Sequence, residues 1–123
     1  MKREFNKDLL SVYIDENGQQ KIICPTGEDI PYLTYTDVND RVGNPVECVA
    51  DLIVNLPEGK KLKNALSVSL SSSIVFELPS GEIVPGITSQ TLNCDPTGFA
   101  TASITMQVNL VSTRQKALDL YLS

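Results

Sequence analysis

The stretch LSVSLSSSIVFEL, residues 66–78, decides the fold class. Its even-numbered positions carry Leu, Val, Ile or Phe, apart from Ser72. Its odd-numbered positions carry serine, apart from Val75 and Glu77. A period of two is typical of a strand with one buried face, whereas a helix repeats every 3.6 residues. The pattern therefore predicts one long β-strand over residues 66–78.

The same alternation continues on both sides of this stretch. Extended segments are predicted at 10–14, 21–24, 32–36, 46–56, 83–93 and 100–110. Turns rich in Gly, Pro, Asn and Asp separate them. Alternating leucines near the C-terminus predict a final strand over residues 116–123. The expected fold is all-β, an antiparallel β-sandwich of seven to eight strands, jelly-roll or immunoglobulin-like.

A chain of 123 residues fits a single domain. We expect residues 1–8 to form an N-terminal arm and residues 9–123 to form one β-sandwich domain. No apolar run is long enough to span a membrane, and no signal peptide is expected after the charged first residues. Membrane insertion is therefore not expected.

Composition argues against several classes of function. The net charge of −5 disfavours a nucleic-acid partner, which requires clustered positive charge. The chain has no histidine, which removes Ser–His and Cys–His nucleophile pairs and His-ligated metal sites. The acidic residues cluster in predicted turns at 15–16, 28–29 and 37–40, where carboxylates are usually solvated. We expect no catalytic residue, no cofactor and no metal site.

The three cysteines, Cys24, Cys48 and Cys94, are widely spaced and form no Cys-x-x-Cys pair. Two interpretations stay open. The thiols are reduced and mostly buried as small hydrophobic groups, or one internal disulfide forms and the remaining thiol, which could be any of the three, crosslinks a neighbouring subunit.

Charge is distributed unevenly along the chain. The fifty residues from 64 to 113 contain no lysine or arginine, and their only acids are Glu77, Glu82 and Asp95. Outward-facing sheet positions usually carry Lys and Glu, which discourage pairing with other sheets. Here small hydroxyl and amide side chains replace them. The predicted assembly face consists of Ser67, Ser69, Ser71, Ser73, Thr101, Ser103, Thr105, Gln107 and Asn109.

Both ends of the chain contain segments suited to exchange or docking between subunits. The N-terminal arm contributes Phe5, and the last alternating run contributes Leu118, Leu120 and Leu122. Such a run could add a strand to the sheet edge of a neighbour.

These features predict a non-enzymatic structural or accessory subunit whose partners are other protein subunits, copies of itself or different chains. The first interpretation is a phage or virus particle component, such as a capsid decoration or a head or tail accessory protein, located in the virion. One alternative is a subunit of a bacterial surface filament or spore appendage, located outside the cell or on the spore. Another is a glycan- or peptide-binding adhesion module, although the chain has no Trp to stack on sugar rings.

Overall fold

The computed structural model describes residues 4–41, 45–94 and 98–123 of the chain. In this part of the chain the regular elements are β1 (Leu10–Ile14), β2 (Gln20–Ile23), β3 (Leu33–Asn39), β4 (Glu47–Asn55), β5 (Leu66–Ser69), β6 (Val75–Glu77), β7 (Ile87–Cys94), β8 (Ala100–Leu110) and α1 (Arg114–Leu122). None of the described segments forms a helix long and apolar enough to cross a membrane.

Strand β8 lies at the centre of the sheet because it pairs along both of its edges. Strand β4 runs antiparallel along one edge, from Glu47 opposite Gln107 to Val54 opposite Ala100. The other edge pairs with β7 and, over the last three residues of β8, with β1. Strands β3 and β5 pair with the far edge of β4, while β2 and β6 extend the sheet at its two ends.

The all-β fold class is confirmed in this coarse form, but the antiparallel β-sandwich is not. Strand β1 runs parallel to β8, and β5 runs parallel to β4, so the sheet is mixed. The strands form a single curled sheet resembling half of a barrel rather than two stacked layers. Alternation predicts that each strand buries one face, but it cannot tell whether that face meets a second sheet or its own sheet curled over.

The interior of the curl is lined by the even-numbered side chains of the two longest strands. Its largest fully buried side chains are Leu10, Ile22, Leu52, Leu66, Phe76, Ile104 and Met106. Strands β3 and β2 approach each other across this interior, where the Thr36 hydroxyl donates to the Gln20 side-chain carbonyl at 2.8 Å. The main core therefore draws on nearly every strand.

The prediction of one strand over residues 66–78 is wrong, because this stretch folds back on itself. Strands β5 and β6 pair antiparallel, with Ser69 opposite Val75. Leu70 and Ile74, predicted to face the core, lie in the connecting loop and are 50% and 37% exposed. Three consecutive serines favour a turn because their hydroxyls can bond nearby backbone groups. The side-chain alternation resumes after the loop, which hides the turn from a periodicity argument.

The final strand predicted over residues 116–123 is also wrong, because Arg114–Leu122 is the helix α1. Thr113 caps this helix, and its Oγ1 accepts a hydrogen bond from the Lys116 backbone N–H at 3.1 Å. Ala117 is fully buried, and Leu118 and Tyr121 pack beside it. Positions 117, 118 and 121 share one side of a helix but not one side of a strand. The cap and several good helix formers outweigh the alternation of the leucines.

Candidate assembly interface

The outer side of the central sheet, opposite the core, carries the candidate site. We define the β7–β8 face as Ser89, Thr91 and Asn93 of β7 together with Thr101, Ser103, Thr105 and Gln107 of β8. Pairing sets Ser89 opposite Thr105, Thr91 opposite Ser103 and Asn93 opposite Thr101. The β7 members are exposed and the β8 members half-buried. The result is a set of neutral cross-strand pairs of hydroxyl and amide side chains.

The predicted assembly face does not include the three β7 residues of this set. Residues 83–94 contain no charged side chain, but the sequence leaves open whether Thr88 and Gln90 or Ser89, Thr91 and Asn93 face outward. Periodicity alone does not say that β7 lies beside β8.

The four serines of the predicted face lie elsewhere. Ser67 and Ser69 belong to β5, whereas Ser71 and Ser73 lie in the exposed β5–β6 loop rather than in a strand. Strand β4 separates β5 from β8, so none of these serines is adjacent to the β7–β8 face. The predicted face is therefore divided into two parts.

Strands β4 and β3 carry acidic side chains on the same outer side of the sheet. Asp51 of β4 lies opposite Ser103 of β8, and Glu47 lies opposite Gln107. Strand β3 adds Asp37 opposite Val49. The uncharged surface thus begins at β8 and extends toward β7.

Asn109 does not belong to an exposed face, contrary to the prediction. It is 7% exposed, and its side chain binds the segment preceding β1. Its Oδ1 accepts from the Asn6 N–H and its Nδ2 donates to the Asn6 carbonyl, both at 2.8 Å. Nδ2 also lies 3.3 Å from the Ser11 hydroxyl. Asn109 is a structural residue that fastens the N-terminal segment to β8.

The predicted docking residues contact their own chain. The Phe5 ring packs edge-on against Tyr121 of α1, with ring centroids 4.9 Å apart. The Tyr121 hydroxyl donates to the Leu9 carbonyl at 2.6 Å, and burial raises its pKa above the usual value. Leu118 packs against the same small cluster, which also includes Tyr13 and Ile23.

The other two leucines of α1 are more accessible. Leu120 is half-buried and Leu122 is 86% exposed. Because they lie on a helix, they cannot add a strand to the sheet edge of a neighbour. The strand-addition role expected for Leu118, Leu120 and Leu122 is therefore excluded.

Strand β7 is an edge strand, since in the described part of the chain its only strand partner is β8. The Gln107 N–H donates to the Gly86 carbonyl, so odd-numbered residues of β8 direct their backbone groups toward β7. Their partners on β7 are also odd-numbered. In an antiparallel ladder, successive residues direct their backbone groups to opposite sides. The backbone N–H and C=O of Gln90 and Leu92 therefore point away from the sheet.

No residue of β7 is charged, which is unusual for an exposed edge. The other edges are protected in different ways. Strand β3 carries Asp37. A segment covers the edge of β2, because the Ile30 N–H donates to the Ile22 carbonyl. Another covers the edge of β6, because the Val84 N–H donates to the Phe76 carbonyl. Among the described edges, β7 is the one with neither a charge nor a covering segment.

The cysteines divide into two kinds. Cys24 and Cys48 are fully buried, and burial raises the thiol pKa to about 12 and about 11. Neither is accessible for a crosslink while the core is intact. Cys94, at the end of β7, is exposed, and all three are free thiols.

The acidic residues of the turns have structural partners. Asp15 Oδ1 accepts from the Asn17 and Gln19 backbone N–H groups at 2.9 Å each. Asp29 accepts from the Tyr13 hydroxyl at 3.0 Å and from Arg114 Nε at 3.2 Å, which fastens the loop after β2 to the start of α1. These carboxylates hold turns and elements in place.

The described regions contain no metal cluster, and the two clefts characterised there are small. No group of three or more Cys, Asp or Glu residues there could hold a metal ion. The two best clefts have volumes of about 190 and 230 Å³, below the range of about 300–1,000 Å³ usual for small-molecule sites. The broad β7–β8 face is therefore the better candidate for function.

Comparison of the chain with protein-family models, curated proteins and solved structures finds no match.

Proposed function

We propose that this protein is a non-enzymatic structural or accessory subunit of an ordered protein assembly, and that its neighbours contact the β7–β8 face. The observation that carries the proposal is the combination of a neutral, in-register face with an unprotected strand edge. The neighbours are other protein subunits, copies of this chain or different chains.

The side chains of this face suit a close contact. Ser and Thr lose little rotamer entropy when held, and their desolvation is offset once new hydrogen bonds form. A buried Lys or Glu would cost far more to desolvate without a partner. The acidic outer sides of β3 and β4 restrict such a contact to the β7–β8 half of the sheet.

Among assemblies, a phage or virus particle remains our first proposal, with the protein as a capsid decoration or a head or tail accessory protein located in the virion. A bacterial surface filament or spore appendage is the alternative. The cysteines argue against a covalently crosslinked filament, because Cys24 and Cys48 are buried. One exposed thiol per subunit links two copies but cannot build a ladder.

A glycan- or peptide-binding adhesion module is supported less well. The β7–β8 face contains no aromatic side chain for stacking on a sugar ring. The exposed tyrosines, Tyr32 and Tyr35, lie at β3, beyond β4 from this face.

The test is a charge introduced at the middle of the face. Thr105→Lys places an ammonium group between Val49 and Ser89, and we expect it to preserve folding but weaken association by about tenfold or more. Sedimentation velocity over a range of concentrations measures the association, and circular dichroism checks the fold.

The matched control is Ser80→Lys, which adds the same charge in the exposed turn after β6. It should leave association unchanged. Equal association of wild type, Thr105→Lys and Ser80→Lys would show that the β7–β8 face is not the contact.

A further inference from the structure

We infer that a second copy of this chain pairs with the free edge of β7, antiparallel and about a two-fold axis at Thr91. The inference rests on the proposed function and deepens it by naming the partner at one part of the interface. The two copies would share one continuous sheet, in the order β4–β8–β7 followed by β7–β8–β4 of the second copy.

The backbone of β7 provides the donors and acceptors for this pairing. Gln90 and Leu92 direct their N–H and C=O groups outward, away from β8. A strand added to this edge satisfies both residues with main-chain hydrogen bonds. Leu92 also packs partly against the core, which holds the edge in place.

The outward-directed backbone groups determine the register. The pairing with β8 is regular from Ser89 to Cys94, and Thr91 lies midway between the outward-directed residues Gln90 and Leu92. A two-fold axis there pairs Gln90 with Leu92 of the second copy, so that outward-facing residues meet outward-facing residues. Thr91 then lies opposite itself and Ser89 opposite Asn93.

Charge favours a second copy over a charged partner. A partner segment carrying Lys or Glu would lose hydration at an edge with no opposite charge to receive it. The edge of a second copy is equally neutral. The acids of β3 and β4 lie on the far side of β8, and salt at physiological strength screens charges beyond about 8 Å.

A cysteine at the axis tests the pairing directly. In a Cys94→Ser background, Thr91→Cys forms a non-hydrogen-bonded pair with its own copy, with Cα atoms about 4.5 Å apart, which is within the range of a disulfide. We expect most of the full-length protein to run as a covalent dimer on a non-reducing gel after mild oxidation.

The matched control is Thr105→Cys in the same background. It lies on the same face but one strand further in, and three strand spacings of about 14 Å plus an offset of four residues along the strand separate it from its copy, which is too far for a disulfide. No covalent dimer from Thr91→Cys, or equal crosslinking of both variants, would overturn the inference.

A second variant tests the pairing without a crosslink. Thr91→Lys places two ammonium groups opposite each other, which should weaken the dimer about tenfold or more in sedimentation velocity while circular dichroism is unchanged. An unchanged dimer would contradict the pairing.

The two proposals fail in different ways. If Thr105→Lys weakens association but Thr91→Cys forms no covalent dimer, the shared β7 edge is overturned and the β7–β8 face is supported. This outcome includes the case in which a different protein pairs with β7. If Thr91→Cys forms a covalent dimer but Thr105→Lys does not weaken the formation of larger assemblies, the shared β7 edge is supported and the β7–β8 face is overturned as the contact. A strict monomer at high concentration overturns the shared edge.

Discussion

At the scale of single residues, Asn109 and Asn93 share a residue type but differ in role. The Asn109 side chain is buried and bonds to Asn6 and the Ser11 hydroxyl, whereas Asn93 is exposed on the β7–β8 face. Sequence alternation places both on outward positions, because it does not show that the N-terminal segment covers the end of β8.

The first prediction follows from this difference. Asn109→Ala removes a buried amide that makes two hydrogen bonds to the Asn6 backbone, each worth about 1 kcal/mol, so the free energy of unfolding should fall by about 2 kcal/mol. Asn93→Ala should change it by less than about 0.5 kcal/mol. Urea unfolding followed by circular dichroism measures both, and equal effects would contradict the assigned roles.

Cys24 predicts a dependence of stability on pH. Burial, and then the negative charges of Glu28 and Asp29, raise the thiol pKa from 9.0 to about 12. Between these values the unfolded chain has lost a proton that the folded protein retains. The contribution to stability is therefore complete below about pH 9 and is lost as the pH rises toward 12.

The measurement is urea unfolding at several pH values between 8 and 11. Above pH 9 the free energy of unfolding should fall less steeply with pH in Cys24→Ala than in the wild type, by about 1 kcal/mol per pH unit. Val54→Ala, a change at another buried position with no titrating group, should lower stability without changing the slope. A wild-type slope retained in Cys24→Ala would exclude this thiol as the cause.

At the scale of elements, local signals predict turns well and pairing partners poorly. The Asp15–Gly18 turn and the β1–β2 hairpin agree with the sequence, since Gly18 has φ of 78° and Asp15 bonds the turn backbone. Helix α1 was hidden by the alternating leucines, although Thr113 offered a cap. The parallel contact of β1 with β8 joins residues about a hundred positions apart, which no periodic pattern encodes.

Gly86 marks the place where β1 and β7 meet along β8. Its φ is 78°, and an added Cβ would lie 3.0 Å from Leu9 Cδ2 and 3.2 Å from the Gln107 carbonyl oxygen. Gly81 also has positive φ, 96°, but a Cβ there meets nothing within 4 Å. Comparing the two glycines separates backbone strain from crowding.

We predict that Gly81→Ala lowers the free energy of unfolding by about 1–2 kcal/mol, the usual cost of a left-handed alanine. Gly86→Ala should cost at least about 1 kcal/mol more, because the new methyl group also crowds a fixed backbone carbonyl. Thermal and urea unfolding of the two variants check this. Equal losses would mean that the junction is not tightly packed.

At the scale of the whole molecule, the uneven charge distribution is the feature from which the proposed function is argued. The neutral block at 64–113 could be found in the sequence. The position of acidic β4 between β5 and β8 could not, because it depends on long-range pairing. The predicted residues Thr101, Ser103, Thr105 and Gln107 lie together on the outer side of β8, and their role in assembly stays a prediction. Strand β7, which extends this surface to a free edge, was not part of the predicted face.

The most direct test of this account is amide hydrogen exchange at Gln90 and Leu92, measured from low to high protein concentration. These N–H groups face outward in a single copy, so they should exchange fast when the protein is dilute. The account predicts at least tenfold slower exchange at high concentration, lost again in Thr91→Lys. Fast exchange of both amides at every concentration, in a sample that nonetheless associates, would contradict association through β7.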